Sequence, residues 1–234
     1  MKITTLKPLL FLTLGITLFT SCLKDDGEYI TPPVAAFTMI NGYVEEPGVI
    51  YRVHQNGYND PLFRLNYKSY LKNTLLYAGS RQLSIYSGVN NAKIVDTVYT
   101  FKDSTSYSGF VYGLPGDAKF IVSEDKSIAD LGDNAGLRFF HLADGVDDVN
   151  ITIGNETSPV FTRTEQQDST NIATNQVFVA KASGSTTIVA KNAAGTEIAR
   201  RENYDLKPGR YYSIILIGDA TSTELPLYIG LIEY

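Results

Sequence analysis

Short hydrophobic runs separated by turn residues dominate the chain from about residue 34 onward. The runs are rich in Val, Ile, Thr, Tyr and Phe, and Gly, Asn, Asp and Pro lie between them. No long segment of this region has the 3.6-residue hydrophobic period of an amphipathic helix. The pattern predicts an all-β protein built from short antiparallel strands.

The strand pattern is clearest in the C-terminal half of the chain. Seven short strands within about a hundred residues are typical of a sandwich of two antiparallel sheets. The segment 211–217 is apolar on both faces, which indicates a central strand or one covered by a neighbour. The seven predicted strands cover residues 137–142, 149–153, 176–180, 186–190, 197–204, 211–217 and 227–233.

A long internal repeat links the two halves of the chain. Residues 79–113 align without a gap with residues 184–218, so that Gly79 matches Gly184 at an offset of 105 residues. Repeated sequence at a fixed offset indicates repeated structure. Further matched pairs are Tyr99 with Tyr204, Tyr107 with Tyr212, and Gly113 with Gly218. We therefore predict two modules, residues 34–126 and 137–234, joined by a linker at 127–136.

The end of the repeat carries a second structural signal. In the C-terminal module Leu206 is followed by Pro208-Gly209 and, six residues after the leucine, by Tyr212. This order resembles the tyrosine corner of fibronectin type III and related sandwiches, in which a tyrosine hydroxyl bonds to the backbone at a sheet corner. The resemblance implies a structural role for Tyr212 and, in the N-terminal module, for Tyr107.

The whole pattern resembles a bacterial family known only as a domain of unknown function, a sandwich module often found in tandem in cell-surface lipoproteins. The residues that carry the resemblance are the opening strand with its acidic loop (138–148), the Pro-Val-Phe turn (159–161) and the segment 204–218. In the N-terminal module Asp103-Ser104-Thr105 replaces the Pro-Gly corner, so that copy is the more diverged. The resemblance implies two tandem immunoglobulin-like (fibronectin III-like) sandwiches at the cell surface, and no catalytic residue.

The N-terminal segment predicts export and lipid attachment. Residues 1–21 combine early lysines with an apolar stretch too short to span a bilayer, which favours a signal peptide over a membrane anchor. Thr20-Ser21 directly before Cys22 resembles the lipobox of bacterial lipoproteins, which implies that a diacylglyceryl group is attached to Cys22. The alternative is a secreted protein whose cysteine lies near the cleavage site by chance. Because Cys22 is the only cysteine, an intramolecular disulfide is excluded.

The residues after the cysteine predict where the protein resides. Lys24, Asp25 and Asp26 resemble the export signal that sends lipoproteins to the outer face of the outer membrane in one Gram-negative phylum. The alternative is a solvated, charged tether. Residues 22–33 end in Pro32-Pro33, which stiffens the chain toward an extended form, so we expect a short lipidated stalk.

Charge and residue spacing exclude several function classes. With 25 acidic and 20 basic side chains the net charge is −5, which disfavours nucleic-acid binding. His54 and His141 lie in different modules, and the acidic loop 144–148 lacks the alternating oxygen ligands of a calcium loop. The chain also has no G-x-S-x-G nucleophile motif. We therefore expect no metal, no cofactor and no enzymatic activity.

The tyrosine content leaves carbohydrate binding open. The chain has 16 tyrosines and no tryptophan, and aromatic faces stack on sugar rings. Tyr58, Tyr67 and Tyr70 are the candidate ligand contacts, although structural packing is the alternative role for tyrosines on strands.

Together these features predict a lipid-anchored outer-membrane protein, exposed at the cell surface, that acts as a non-catalytic binding or adhesion module. Its ligand would be a protein or a glycan. One alternative is a glycan-binding accessory lipoprotein of a nutrient-uptake complex. Another is a structural spacer that faces the periplasm.

Overall fold

The structure is a computed structural model that describes residues 31–45, 47–54, 56–57 and 64–234. The predictions of a signal peptide, of lipidation at Cys22 and of an export signal at Lys24, Asp25 and Asp26 lie outside the described residues, as does Tyr58. No helix in the described ranges has the length and apolar character needed to cross a membrane. Residues Pro33–Tyr234 form one compact unit.

The described chain is all-β, as the hydrophobic pattern predicts. Its one helical element is a 3-10 turn at Ile172–Asn175. The strands of the N-terminal half are β1 (Val34–Tyr43), β2 (Val49–Val53), β3 (Asn56–Gly57), β4 (Tyr70–Tyr77), β5 (Gly79–Ser87), β6 (Lys93–Phe101), β7 (Ser106–Leu114) and β8 (Asp117–Glu124). Those of the C-terminal half are β9 (Asn134–His141), β10 (Val149–Ile153), β11 (Phe161–Arg163), β12 (Val179–Ala182), β13 (Gly184–Lys191), β14 (Glu197–Leu206), β15 (Tyr211–Ile217) and β16 (Tyr228–Glu233).

The seven strands predicted in the C-terminal half correspond to β9, β10 and β12 to β16, with ends that differ by a few residues. The prediction missed β11, which is three residues long. A segment of that length is too short to display an alternating hydrophobic pattern.

The two halves have the same sheet topology. The N-terminal half contains the sheets β4-β1-β7-β8 and β3-β2-β5-β6, and the C-terminal half contains β12-β9-β15-β16 and β11-β10-β13-β14. In each half the first strand lies inside its sheet, antiparallel to the fourth strand and parallel to the seventh. The repeat in the sequence is therefore a repeat of topology.

The strand order corrects the immunoglobulin-like prediction. An immunoglobulin constant domain places its first two strands in one sheet, in the order ABED, with CFG in the other. Here β1 and β2 belong to different sheets, and β1 pairs in parallel with β7. The expected order is wrong because hydrophobic alternation reports where a strand lies, whereas its partner is set by contacts with distant parts of the chain.

Each half has its own hydrophobic core, and a third cluster joins the two halves. We call the contact between the sheets β4-β1-β7-β8 and β12-β9-β15-β16 the seam. Phe110 packs there on Phe140, with ring centroids 4.4 Å apart, and Ile40 faces the same cluster as Ile215 and Ile217. The strand β15 is apolar on both faces because one face lines the C-terminal core and the other lines the seam. Each of these buried side chains contributes about 1.5–3 kcal/mol of hydrophobic stabilisation.

A buried arginine connects the two halves beside the seam cluster. The Nη2 atom of Arg138 donates to Asp125 Oδ1 at 2.5 Å and to Tyr234 Oη at 3.0 Å, and its Nε donates to Ser213 Oγ at 2.7 Å. Ser108 Oγ donates to Asp125 Oδ2 at 3.0 Å. Ser108 and Ser213 occupy matching positions of the repeat, and Ser108 contacts both the carboxylate and the guanidinium, whereas Ser213 accepts from the guanidinium.

This network keeps a charge pair out of water. Only 1% of the Arg138 side chain and 9% of the Asp125 side chain is exposed. Burial opposes the charge on Arg138, but Tyr234 and Asp125 outweigh it and raise the pKa of the guanidinium above its ordinary value. The pKa of Asp125 is itself raised by burial, which the guanidinium and Ser108 only partly offset. The buried negative charge of Asp125 therefore depends on Arg138 as its counter-charge.

We predict that Arg138→Met lowers the free energy of unfolding by about 3–5 kcal/mol, because it leaves the buried Asp125 carboxylate without a counter-charge. The double variant Arg138→Met/Asp125→Leu should lose less than Arg138→Met alone. Urea denaturation measures both. Equal stability of Arg138→Met and the parent chain would show that the network does not hold the halves together.

The two copies of the repeat turn the same corner with different residues. Gly209 has a φ of 71°, and Ser104 at the matching position has a φ of 54°. Both backbone amides make the same contact, since Ser104 N donates to Val34 O and Gly209 N to Asn134 O, each at 2.8 Å. The serine therefore adopts a left-handed conformation that costs an L-residue roughly 1–2 kcal/mol.

We predict that Ser104→Gly raises the free energy of unfolding by up to about 1 kcal/mol, since the relief of the left-handed strain exceeds the entropy that glycine adds to the unfolded chain. The reciprocal variant Gly209→Ser is the matched control and should be destabilised. Thermal unfolding of the two proteins gives the comparison. A loss of stability in Ser104→Gly would contradict this account of the corner.

Candidate functional site

The sequence-predicted corner residues belong to the buried core and the turns of the sandwiches. Tyr107 and Tyr212 are buried. Tyr107 Oη accepts a hydrogen bond from Lys102 N at 3.1 Å, and Tyr212 Oη accepts one from Lys207 N at 3.0 Å. Of the other corner residues, Leu206 is buried, whereas Pro208 and Gly209 form an exposed turn. All five corner residues thus lie in the scaffold.

Two of the three candidate ligand contacts lie together at the border of the seam. Tyr67 lies in the turn that precedes β4, and Tyr70 is the first residue of β4. Both side chains are half-buried and pack against the seam cluster. Neither tyrosine is a fully buried packing residue, so both keep surface that a ligand could contact.

The C-terminal half contributes further residues to the same surface. Lys68 Nζ lies 5.0 Å from the ring centroid of Tyr67 and 4.3 Å from that of Tyr228, so it bridges the two halves. Arg201 Nη1 donates to Tyr228 Oη at 3.4 Å, and its guanidinium carbon lies 5.9 Å from the ring of Tyr204.

Tyr70 belongs to the same surface, because it packs against the seam cluster together with Tyr67 and Tyr228. Burial raises the pKa of Tyr204 to about 12, and the hydroxyls of Tyr212 and Tyr70 add to the rise. Burial also raises the pKa of Tyr67, with a contribution from Tyr228. We call this surface the seam patch, which consists of Tyr67, Lys68, Tyr70, Arg201, Tyr204 and Tyr228.

The cations of the seam patch lack acidic partners within the described ranges. Neither Lys68 nor Arg201 forms an ion pair with a described carboxylate. By contrast Arg200, one residue earlier on β14, pairs with Glu197 at 2.5 Å and with Glu202 at 3.7 Å. In a chain with a net charge of −5, the seam patch thus contains two cations without an ion-pair partner among the described residues, and the nearest carboxylate effect on it is that of Glu233 on the Tyr204 hydroxyl.

Lys68 is held in a strained backbone conformation. Its φ is 65°, a value that glycine adopts freely and lysine adopts at a cost. The strand β1 maintains it, because Lys68 N donates to Asn41 O at 2.9 Å and Asn41 N donates to Ser69 O at 2.9 Å. Strained residues of this kind concentrate at functional sites. The conformation places the ammonium group over two tyrosine rings.

The histidines and the acidic loop 144–148, which are the candidate metal ligands of the sequence, lie away from the seam patch in sequence and in their contacts. No group of three or more His, Cys, Asp or Glu side chains there could hold a metal ion. His54 is exposed at the end of β2, whereas His141 is buried in β9. In the acidic loop, Asp144 Oδ1 accepts from Gln166 Nε2 at 3.3 Å and lies 3.7 Å from Lys119 Nζ. The loop is therefore tied to its neighbours by polar contacts.

A crevice of ≈ 180 Å³ lies near the buried arginine. It is lined in part by Thr38, Ser106, Asp125, Phe178 and Tyr211. This volume is below the roughly 300–1,000 Å³ of typical small-molecule pockets, and its carboxylate is already engaged by the buried arginine. The crevice is a less suitable binding site than the seam patch.

Comparisons with known proteins match part of the chain to a domain type that has no assigned activity. A family model described as Domain of unknown function (DUF4397) matches residues 39–152, which extend from β1 into β10. This match supports part of the predicted resemblance to a domain of unknown function, because the opening strand and acidic loop at 138–148 lie inside the matched range, whereas residues 159–161 and 204–218 lie outside it. No curated protein matches the chain.

Two solved structures show a low overall similarity. CBMbc (family CBM26) from Eubacterium rectale Amy13K, in complex with maltoheptaose, has 10% identity and a TM-score of 0.28, and the match covers 82% of this chain and 96% of that chain. A proposed cell adhesion protein from Bacteroides uniformis ATCC 8492 has 10% identity and a TM-score of 0.25, with coverage of 86% and 98%. Similarity at this level does not identify a shared function.

Sequence reasoning found part of the seam patch. Tyr67 and Tyr70 were candidates because of their residue type, and Tyr204 was visible as a matched position of the repeat. Arg201 and Tyr228 carried no signal of their own, because only the packing of the two halves brings them to Lys68.

His141 is buried with an incomplete set of hydrogen bonds. Its Nε2 donates to the carbonyl oxygens of Val146 at 2.9 Å and Asp147 at 3.1 Å, and its Nδ1 has no partner among the described residues. Burial lowers the pKa of His141 below its ordinary value, although the two carbonyl groups favour the charged form. The folded protein therefore takes up a proton at this site less readily than the unfolded chain does.

We predict that the free energy of unfolding falls as the pH drops below about 6.5, the ordinary imidazole value, because the unfolded chain then binds a proton that folded His141 resists. At higher pH this contribution is constant. His141→Asn should flatten the pH dependence of stability, because it removes the titratable imidazole. Asparagine is chosen because Asn41 occupies the matching place in the N-terminal half. His54→Asn, at an exposed position, is the control and should leave it unchanged. Urea denaturation at a series of pH values measures the effect, and an unchanged slope in His141→Asn would refute it.

Proposed function

We propose that this chain is a non-catalytic binding protein that is anchored to the outer membrane through lipidated Cys22 and presents the seam patch to a ligand. The observation that carries the proposal is the composition of the seam patch. Half-buried tyrosines and two cations without acidic partners converge there from both halves of the chain. Structural packing alone does not require positive charge at that surface.

The architecture supports this role. The residue ranges 34–126 and 137–234 would act as two sandwich modules joined by the linker 127–136 and lifted from the membrane by the stalk 22–33. Since residues Pro33–Tyr234 are one compact unit, the seam patch is organised before a ligand arrives. A pre-organised surface loses less entropy on binding than a flexible one.

A glycan-binding accessory role in nutrient uptake is the second candidate function. The tyrosines of the seam patch favour it, because aromatic rings offer flat apolar surface to sugars. A structural spacer facing the periplasm would need neither accessible tyrosines nor unpaired cations at one place. The first two functions require exposure at the cell surface, whereas the spacer does not.

Protease treatment of intact cells tests the surface location. We predict that the parent protein is cleaved from intact cells, whereas a variant with Lys24, Asp25 and Asp26 all changed to Ala is protected until the outer membrane is broken. Glu28→Gln is the control, because it removes a charge from the stalk outside the predicted export signal, and it should be cleaved like the parent. Immunoblotting of the remaining chain gives the readout.

Protection of both the parent and the triple variant would overturn the surface role and leave the periplasmic spacer. Cleavage of both would show that the three residues are a tether and not an export signal. Cys22→Ser completes the test of anchoring, since it should release the protein from the membrane fraction. A membrane-bound Cys22→Ser protein would contradict lipidation at that residue.

A further inference from the structure

We infer that the ligand of the seam patch is an anionic polysaccharide, held by tyrosine stacking and by the charges of Lys68 and Arg201; the inference rests on the proposed binding function. Three features of the seam patch favour such a ligand: its exposed tyrosine surface, its charge and its extension over both halves of the chain.

The surface that the tyrosines expose consists of ring atoms more than of hydroxyl groups. The Tyr67 hydroxyl is enclosed and has no hydrogen-bond partner among the described residues, although the residue as a whole is only half-buried. The exposed part of Tyr67 is therefore not its polar end. The Tyr228 hydroxyl accepts from Arg201, and its ring lies under Lys68. The ammonium group covers one face of that ring, and the ring surface that the half-buried tyrosines still expose is the part that a sugar would contact.

The two cations determine the charge of the ligand. Charge-assisted hydrogen bonds from lysine or arginine to a carboxylate or sulfate are roughly twice as strong as neutral ones. Arg201 and Arg200 are neighbours in sequence, yet only Arg200 has carboxylate partners in the described ranges. The chain neutralises the arginine outside the seam patch and leaves the one inside it available. A neutral glycan would not use this difference.

The site is formed by both halves of the chain, which favours an extended polymer as ligand. Lys68 and Tyr70 come from the N-terminal half, and Arg201, Tyr204 and Tyr228 come from the C-terminal half, so a ligand that fills the patch crosses the seam. A lipid bilayer is less suitable, because the tyrosines are half-buried and their remaining surface adjoins two charged side chains. Single-stranded nucleic acid normally requires a longer track of positive charge, and the net charge of the chain is −5.

The test uses the mature chain, residues 22–234 with Cys22→Ser, and a matched pair of polymers. Polygalacturonate and its fully methyl-esterified form share one backbone and differ in charge. We expect binding to polygalacturonate that weakens with added salt, and little binding to the ester, by isothermal titration calorimetry. Phosphatidylglycerol vesicles and oligo-deoxythymidine are run in parallel.

Three variants assign the binding to the seam patch. Lys68→Gly and Arg201→Gln should each weaken binding roughly tenfold or more. Arg200→Gln is the matched control, since it removes the neighbouring charge on the same strand, and it should bind like the parent. Lys68→Gly also relieves the left-handed strain at that position, so its melting temperature should not fall. Loss of affinity without loss of stability separates recognition from folding.

A second pair of variants concerns stacking. Tyr228→Phe retains the ring and should retain most of the affinity, whereas Tyr228→Ala should lose roughly tenfold or more, because stacking of an aromatic ring is worth about 1–3 kcal/mol in sites that bind flat ligands. Equal losses in the two variants would contradict a stacking role.

Several outcomes would overturn the inference. Equal binding of polygalacturonate and its ester would indicate a neutral glycan, and an equal effect of Arg200→Gln and Arg201→Gln would indicate unspecific charge attraction. Preferential binding to the vesicles or to the oligonucleotide would assign the seam patch to those ligands. A protein that is cleaved from intact cells but ignores polygalacturonate keeps the proposed function and loses this inference.

Discussion

The buried ion pair between Arg138 and Asp125 is the interaction on which the rest of the structure depends. A buried charge is tolerated only when a counter-charge and hydrogen bonds compensate it. Here the two charges belong to different halves of the chain, and Ser108 and Ser213 complete their hydrogen bonding. The halves therefore cannot separate or slide past each other without leaving a charge uncompensated. Apolar contacts across the seam hold the two halves together, and the ion pair fixes their relative orientation.

The repeat explains why such a contact can form. Both halves use the equivalent sheet, and the same strands of each, to build the seam. Matching positions of the two copies carry different residues there: Ile40 corresponds in the strand register to Phe140, and Thr38 corresponds to Arg138. The divergence of the two copies thus supplies the positive charge that a symmetric contact would lack.

The fixed seam in turn positions the seam patch. Lys68 and Tyr228 lie on different halves, and their distance of 4.3 Å from ammonium to ring exists only while the halves keep their relative placement. Binding by the seam patch and stability of the seam are consequently coupled, because both require the same arrangement of the sheets β4-β1-β7-β8 and β12-β9-β15-β16. The left-handed backbone of Lys68 costs conformational free energy, and the hydrogen bonds to Asn41 hold it in that conformation.

The sequence by itself determined the all-β class, most strand positions in the C-terminal half, the internal repeat and two of the seam-patch tyrosines. These properties follow from local alternation and residue type, which a chain displays without folding. Only the tertiary structure decided the strand order, the burial of Arg138 and the convergence of Lys68, Arg201 and Tyr228. The physical reason is that these depend on contacts between segments far apart in the chain. Alternation records that one face of a strand is buried, but not which distant segment buries it.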